Sequence, residues 1–260
     1  MFFKQKHLKF INSAKTAILD TLFPISCLSC QKPDVWLCDQ CLKKIEILPS
    51  QVCPYCEKNI CEAGHICLPC KIAFSKNNRP IPLDNLIVAT SYKKNNIAHL
   101  IHLYKYNFVQ DLSTSLAQLL VWAIIKNNLP LPDIIVPVPL HPRRLRWRGF
   151  NQAELLAKYV SQNLIPSFPI PVFSDLILRK KYSTPQMKIK NYQQRQKNIA
   201  GIFVCSNNSQ ILKDKTVLLI DDICTTGATM FECAKALKQN GACSVFGAVI
   251  ARQELKSHRL

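Results

Sequence analysis

The chain has 260 residues, 48% of them hydrophobic, and carries 34 Lys and Arg against 16 Asp and Glu for a formal net charge of +18. That length and apolar content suffice for one domain of moderate size plus a small module, and the charge points to anionic partners such as nucleotides, sugar phosphates or nucleic acid. The apolar runs fall far short of the roughly 20 residues that cross a bilayer, which excludes a membrane-spanning helix as an expectation.

Residues 1–23, MFFKQKHLKFINSAKTAILDTLF, are basic and amphipathic, with Phe10, Ala14, Ala17, Ile18 and Leu22 near helical spacing. Lys9, Asn12, Ser13 and Lys15 interrupt the run too early for a signal-peptide core, so a small N-terminal helix is expected. Thirteen cysteines follow, nine of them between positions 27 and 70. Eight form C-x-x-C pairs: Cys27/Cys30, Cys38/Cys41, Cys53/Cys56 and Cys67/Cys70. Without an export signal, reduced thiolates holding metal in the cytoplasm fit better than disulfides. Two intervening residues let both thiolates of a pair grip one ion from a tight knuckle, and two knuckles complete a tetrahedral site. Four knuckles therefore imply two structural zinc ions. The simplest pairing is sequential, while an interleaved one, first with third and second with fourth, fits the spacing too. Cys61 and His65 are left over. Residues 24–72 are expected to be a double zinc ribbon that draws its folding energy from metal.

Residues 73–85 read as a linker, within KIAFSKNNRPIPLDN at 71–85. From 86 to 260 the elements alternate. A strand is expected over Leu86–Tyr92, then helices over Asn96–Tyr106 and Asp111–Lys126, with Asp111 as the cap of the second. Asp133–Leu140, DIIVPVPL, reads as a strand whose second half is demoted by Pro137 and Pro139. His141, Arg143, Arg144, Arg146 and Arg148 then crowd a basic loop, which ahead of a helix over Gln152–Asn163 makes an anion site. Val172–Leu178 is strand-like. Residues 179–198 read as a polar loop and a short helix, with Arg179, Thr184, Gln186, Arg195 and Asn198 as polar anchors and a lid role expected. A strand over Gly201–Cys205 precedes the most informative stretch, and a strand over Ser244–Ala251 closes the chain. Trp147, Tyr104 and Tyr106 flank basic residues and can stack bases, but a core role is preferred. Alternating strands and helices argue for an α/β fold with a parallel sheet covered on both faces and a ligand site beyond the carboxyl ends of the strands.

The informative stretch is VLLIDDICTTGAT, residues 217–229. Val217 to Ile220 read as a buried strand, with Asp221 and Asp222 at its C-terminal end. Thr225-Thr226-Gly227 then lead into a helical pattern from Ala228. A strand, a small-residue loop and a helix N-terminus together aim N–H groups and a dipole at a phosphate. The two acids beside that cradle suit ribose hydroxyls or a Mg²⁺ ion shared with the ligand.

This stretch closely resembles the phosphoribosyl-pyrophosphate (PRPP) motif of type I phosphoribosyltransferases. Together with the tandem knuckles, VPVPLHPRRLRWRGFNQAELLA and the T-x-Q…R-x-x-N spacing, the chain resembles the ComF/GntX family from about Cys27 to Arg252. The resemblance implies a type I phosphoribosyltransferase-like domain behind a double zinc ribbon and a role in natural transformation. It implies that Asp221 and Asp222 hold the ribose hydroxyls or Mg²⁺. Thr225, Thr226, Gly227, Ala228 and Thr229 would cradle the 5′-phosphate, and the loop from Val138 through Arg143 and Arg144 would face the pyrophosphate, with Arg148 and Asn151 joining the substrate site. Three functions follow as expectations. One is Mg²⁺-dependent phosphoribosyl transfer to an unidentified nitrogenous acceptor. The second is single-stranded DNA binding by a protein that keeps the fold. The third is an adaptor that docks a helicase or recombination protein.

Overall fold

The structure, a computed structural model, describes residues 25–106, 109–180, 199 and 201–253. The expected N-terminal helix and most of the expected lid lie outside these residues. The chain divides into two compact units, residues 1–45 and 46–260. In the smaller unit, Ser26 bridges Pro33, and a short helix, α1 (Asp39–Lys43), starts within the second knuckle and carries Cys41. Nothing in so short a segment can build a sizeable core, and its buried residues are the cysteines Cys27, Cys38 and Cys41 with Leu37, Leu42 and Ile45.

The larger unit opens with a second cysteine-bearing segment. A two-residue hairpin, β1 (Gln51–Val52) and β2 (Ile60–Cys61), precedes a helix, α2 (Leu68–Lys76). This helix begins ahead of, and runs into, the stretch read as linker. Its Pro sits in the first turn, where the missing N–H costs nothing. The segment runs along β3 (Asn85–Ser91). Leu48 N–H donates to Ala89 O at 2.9 Å, the Gln51 side chain bonds both Val88 O (3.1 Å) and Val88 N–H (2.9 Å), and Thr90 Oγ1 donates to Glu46 O at 2.8 Å. Further on, Ile66 N–H donates to Asp84 O and Asn85 Nδ2 to Ala63 O. Only glycine fits at position 64, because a Cβ there would lie 2.1 Å from Leu86 O.

The main sheet has four strands in the order β3, β8, β7, β4, all parallel, with β4 spanning Ile134–Pro137, β7 Thr216–Cys224 and β8 Ser244–Arg252. Its central strands are buried on both faces, which explains their unbroken apolar runs. Alternation along each strand sorts the two faces. Leu86, Val88, Val217, Leu219, Val245 and Val249 join one core cluster with Cys233, Ala234 and Leu237 of helix α7 (Ala228–Gln239). Helices α4 (Leu112–Lys126) and α6 (Gln152–Asn163) pack together and against the sheet, and α3 (Ile97–Tyr106) precedes them. A small antiparallel pair, β5 (Ile177–Arg179) and β6 (Phe203–Cys205), lies against α7.

Most expected elements stand within a few residues of their places, and several local readings change. The expected strand over Val172–Leu178 is not continuous: Val172 makes an isolated bridge to Ile135, and β5 starts only at Ile177. Asp111 is itself in helical conformation and accepts no capping bond with its side chain, so it does not cap α4. The basic stretch read as a loop is a helix, α5 (Pro142–Arg148), capped by His141 Nδ1 accepting from Arg143 N–H at 3.1 Å. Trp147 is 59% exposed rather than in the core, whereas Tyr104 is fully buried as expected. No described helix is long and apolar enough to cross a membrane.

Candidate functional site

β4 ends beside β7, with Pro137 opposite Ile220 and Val138 N–H donating to Ile220 O at 2.8 Å, while β7 runs on to Cys224. The loop after β4 therefore opens beside the last residues of β7. Beyond them lies a cavity of about 140 Å³. It is lined by Asp221 and Asp222 from the last residues of β7, by Thr225 from the loop after it and Thr229 from the first turn of α7, by Val138, Pro139 and Leu140 from the loop after β4, and by Arg144, Arg148, Asn151, Lys105, Tyr106 and Arg179 around the rim.

Each wall has a local cause. Gly227 stands at φ 78° at the head of α7, and a Cβ there would lie 2.6 Å from the Phe231 ring. Thr226 is buried, and its Oγ1 accepts from Ala228 N–H at 3.3 Å, so it fixes the turn from beneath while Thr225 and Thr229 face the cavity. Asn151 caps α6 by accepting from Ala153 N–H at 3.2 Å, and its Nδ2 donates to Val138 O at 3.1 Å. One amide thereby starts a helix and holds the neighbouring loop. Arg148 donates to Gln152 Oε1 at 2.9 Å and stacks over the Tyr106 ring at 5.3 Å. Arg148 Nε and Gln152 Nε2 are buried with no hydrogen-bond partner. A buried donor left open beside a cavity suits an anionic or carbonyl ligand.

The acid pair is electrically loaded. Lys105 Nζ lies 2.9 Å from Asp222 Oδ1, with side-chain exposures of 16% and 7%. Asp221 Oδ1 accepts from Asp222 N–H at 2.8 Å. Burial, and then the Asp222 carboxylate beside it, push the Asp221 carboxyl up to about 8 against the opposing pull of Lys105. Burial also lowers the Arg148 guanidinium below its usual value, and His141 is lowered by burial and then by Arg179, Arg143, Arg144 and Arg146.

Of the residues singled out from sequence, Asp221, Asp222, Thr225, Thr229, Val138, Arg144, Arg148 and Asn151 come together at one cavity. Thr226, Gly227 and Ala228 are buried and build the turn beneath it, while Arg143 is exposed and outside the lining. Lys105, Tyr106 and Gln152 line it too and were not expected there; a lone lysine in the last turn of α3 was the only signal for the first.

The eight paired cysteines form two clusters, Cys27, Cys30, Cys38 and Cys41 in the smaller unit and Cys53, Cys56, Cys67 and Cys70 in the larger. The sequential pairing holds, and Cys61 and His65 stand outside both. Within each cluster the sulfurs all lie within 4.8 Å of one another and none is disulfide-bonded. Cys30 and Cys38 sulfurs are 3.6 Å apart and Cys56 and Cys67 sulfurs 3.7 Å. A tetrahedral Zn–S distance of about 2.3 Å requires sulfurs about 3.8 Å apart, so both clusters fit zinc. Burial opposes ionisation of Cys27 and Cys67, yet N–H donors outweigh it: backbone N–H groups of Cys38, Ser29 and Cys30 around the first, and the Asn59 amide around the second. Both thiols are brought down to about 6.

The parallel sheet with its packed helices is that of a phosphoribosyltransferase-type domain, and the phosphoribosyl transferase domain family matches residues 151–258. The chain is 31% identical over 230 residues to the "DNA utilization protein YhgH" of Salmonella typhi, covering 85% of this chain and 94% of that one. It is 29% identical over 209 residues to "Competence protein F" of Haemophilus influenzae (79% and 85%), and 26% over 231 residues to "Competence protein ComFC" of Bacillus subtilis (81% of each). The chain belongs to the ComF family.

Proposed function

We propose that the cavity binds PRPP together with Mg²⁺, and that the protein works in the handling of DNA taken up by the cell. The observation that carries the pocket is convergence: two carboxylates, a phosphate-type loop at the head of α7 and the guanidinium groups of Arg144, Arg148 and Arg179 share one small cavity. The names of the relatives, competence proteins and DNA utilization proteins, support the cellular role.

Under this reading Asp221 and Asp222 accept hydrogen bonds from the ribose hydroxyls or ligate the cation. The loop N–H groups with Thr225 and Thr229 donate to the 5′-phosphate. The arginines meet the pyrophosphate, where their planar forks match its oxygens. An oxygen-only acid pair suits a hard cation, and Lys105 already answers that demand for positive charge. A bound Mg²⁺ would neutralise charge shared by the carboxylates and the leaving group. In the reaction the C1–oxygen bond breaks with its electron pair leaving on pyrophosphate, and the lone pair of an acceptor nitrogen forms the new bond to C1. Among the described residues the lining holds no cysteine, serine or histidine, and this reading assigns catalysis to charge and position.

Calorimetry with PRPP and Mg²⁺ on the wild type and on the Asp221→Asn/Asp222→Asn variant tests this. Binding that vanishes in the variant is expected. A folded, zinc-loaded wild type that binds no PRPP would defeat the reading.

One observation favours a second activity. Trp147 is exposed between Arg146 and Arg148, 6.3 Å from the Tyr106 ring, on a chain of net charge +18. Aromatic faces among arginines stack the bases of single-stranded DNA. Affinity for an oligonucleotide that falls steeply with salt, and falls again in Trp147→Ala, is the expected outcome. Docking of a helicase or recombination protein is the further partner to test, by pulldown with and without zinc.

A further inference from the structure

The second tetracysteine cluster is built into the same compact unit as the cavity, and the residues between its first two cysteines reach toward the phosphate-type loop. Tyr55 lies between Cys53 and Cys56. Its hydroxyl donates to Leu83 O at 2.9 Å and accepts from Leu83 N–H at 3.0 Å. Its ring lies flat on Phe231, with centroids 4.7 Å apart and planes 8° apart, and meets Phe74 of α2 edge-on at 4.8 Å. Phe231 is the residue whose ring fills the space beside Gly227. A column of rings thus runs from α2, which carries Cys70, through the knuckle to the pivot of the loop.

A second thread leaves the same knuckle. Arg252, at the end of β8, donates to Pro54 O at 3.1 Å and pairs with the Glu57 carboxylate. In the sheet Arg252 stands opposite Cys224, and Gln253 N–H donates to Cys224 O at 2.9 Å. Cys224 and Gly227 are the two ends of the loop that presents Thr225 and Thr226. Both ends are therefore tied to one four-residue turn, Cys53–Cys56, whose shape a metal ion would fix.

We propose that the metal site of Cys53, Cys56, Cys67 and Cys70 is a positioning element for the phosphate-type loop, acting through Tyr55 and Phe231 on Gly227 and through Arg252 on Cys224. Zinc supplies the free energy that holds a cysteine knuckle in one conformation. Loss of the ion frees the knuckle, and the rings and the arginine lose their fixed base. The loop then samples open states more often, which amide exchange reads directly. The ligand side of this proposal rests on the PRPP reading above, while the coupling of metal to loop does not.

The test uses the full chain, metal analysis, hydrogen–deuterium exchange of residues 224–231, and calorimetry with PRPP and Mg²⁺. Cys53→Ser/Cys67→Ser removes the ion, whereas Tyr55→Leu and Phe231→Leu cut the column and leave the thiolates in place. In the two ring variants both zinc ions are expected to remain, exchange over 224–231 to quicken about tenfold, exchange in β3 and β4 to stay slow, and PRPP to bind about tenfold more weakly. Tyr55→Phe, which keeps the stack, is expected to restore slow exchange. Unchanged loop exchange in the zinc-depleted and Tyr55→Leu proteins would overturn the proposal. Equal loosening in the Phe and Leu variants would overturn the stacking route. A wild type that binds no PRPP defeats the functional reading, and the exchange data still decide the coupling.

Discussion

Replacing Lys105 by Met tests the electrostatics of the cavity most directly. Lys105 Nζ stands 2.9 Å from Asp222 Oδ1, both side chains are largely buried, and Asp221 adds a second carboxyl alongside. At that distance and an effective dielectric near 20, the gross attraction is about 6 kcal/mol. Much of it offsets the desolvation of the two groups, and removal of one partner from a buried pair costs about 3–5 kcal/mol. Taking the lower bound, thermal unfolding should fall by about 6–12 °C at pH 8 for a unit of this size. The loss should shrink at lower pH. Burial and then Asp222 already push the Asp221 carboxyl up to about 8, and the variant removes the opposing pull of Lys105, so the protonated form of Asp221 stabilises the fold below the unfolded carboxylate range. That contribution is lost as pH rises through the folded value. The gap between variant and wild type therefore widens from pH 5 to pH 9, and saturating Mg²⁺ should narrow it at pH 8. Unfolding followed by circular dichroism at several pH values measures this. A loss under about 1 kcal/mol at pH 8, or a gap independent of pH, would refute the reasoning, because it would place the pair in the weak class of exposed ion pairs.

Three further outcomes are expected. Because Asp221 ionises only near 8, Mg²⁺-dependent ligand affinity should rise by up to tenfold per pH unit from pH 6 to 8 and then level, and Asp221→Asn should flatten that rise; calorimetry across pH checks it. Metal analysis should find two zinc ions per chain, with Cys27→Ser and Cys67→Ser each losing one ion and not both. Gly227→Ala should cost about 1–2 kcal/mol for its left-handed backbone alone. The added methyl must also displace the Phe231 ring, so ligand affinity should fall more than stability does, as parallel calorimetry and unfolding would record.

What was legible in the sequence was local. The strand, loop and helix from Val217 to Gln239 follow one another without a gap, and α6 matches its expected bounds because Asn151 caps it and its apolar residues keep helical spacing. Cysteine knuckles are local too, which is why their metal-binding pattern could be read. Helix α5 escaped notice because none of its residues is buried, so it carries no apolar stripe; its start signal, a proline after His141, was nonetheless present. Lys105 escaped for another reason. Its partner Asp222 lies far along the chain, and only the approach of α3 to the end of β7 creates the pair. The contact of Tyr55 with Phe231 is of the same kind, since two aromatic residues on distant segments carry no shared period.

The segment from Glu46 to Ile66 has a consequence for how the chain can be shortened. β3 is the outermost strand of the sheet on its side; its outward backbone groups are met by Leu48 and by the Gln51 side chain, and its Asn85 side chain donates to Ala63 O. A chain cut to begin at Asn85 would keep all four strands and every residue of the cavity. It would also bare the N–H and C=O of Val88 along an apolar edge. Bared edges of that kind recruit strands from other copies, so the shortened protein would tend to assemble edge to edge and precipitate. The cysteine-bearing segment would in this sense guard against self-assembly, and a minimal domain has to include Glu46.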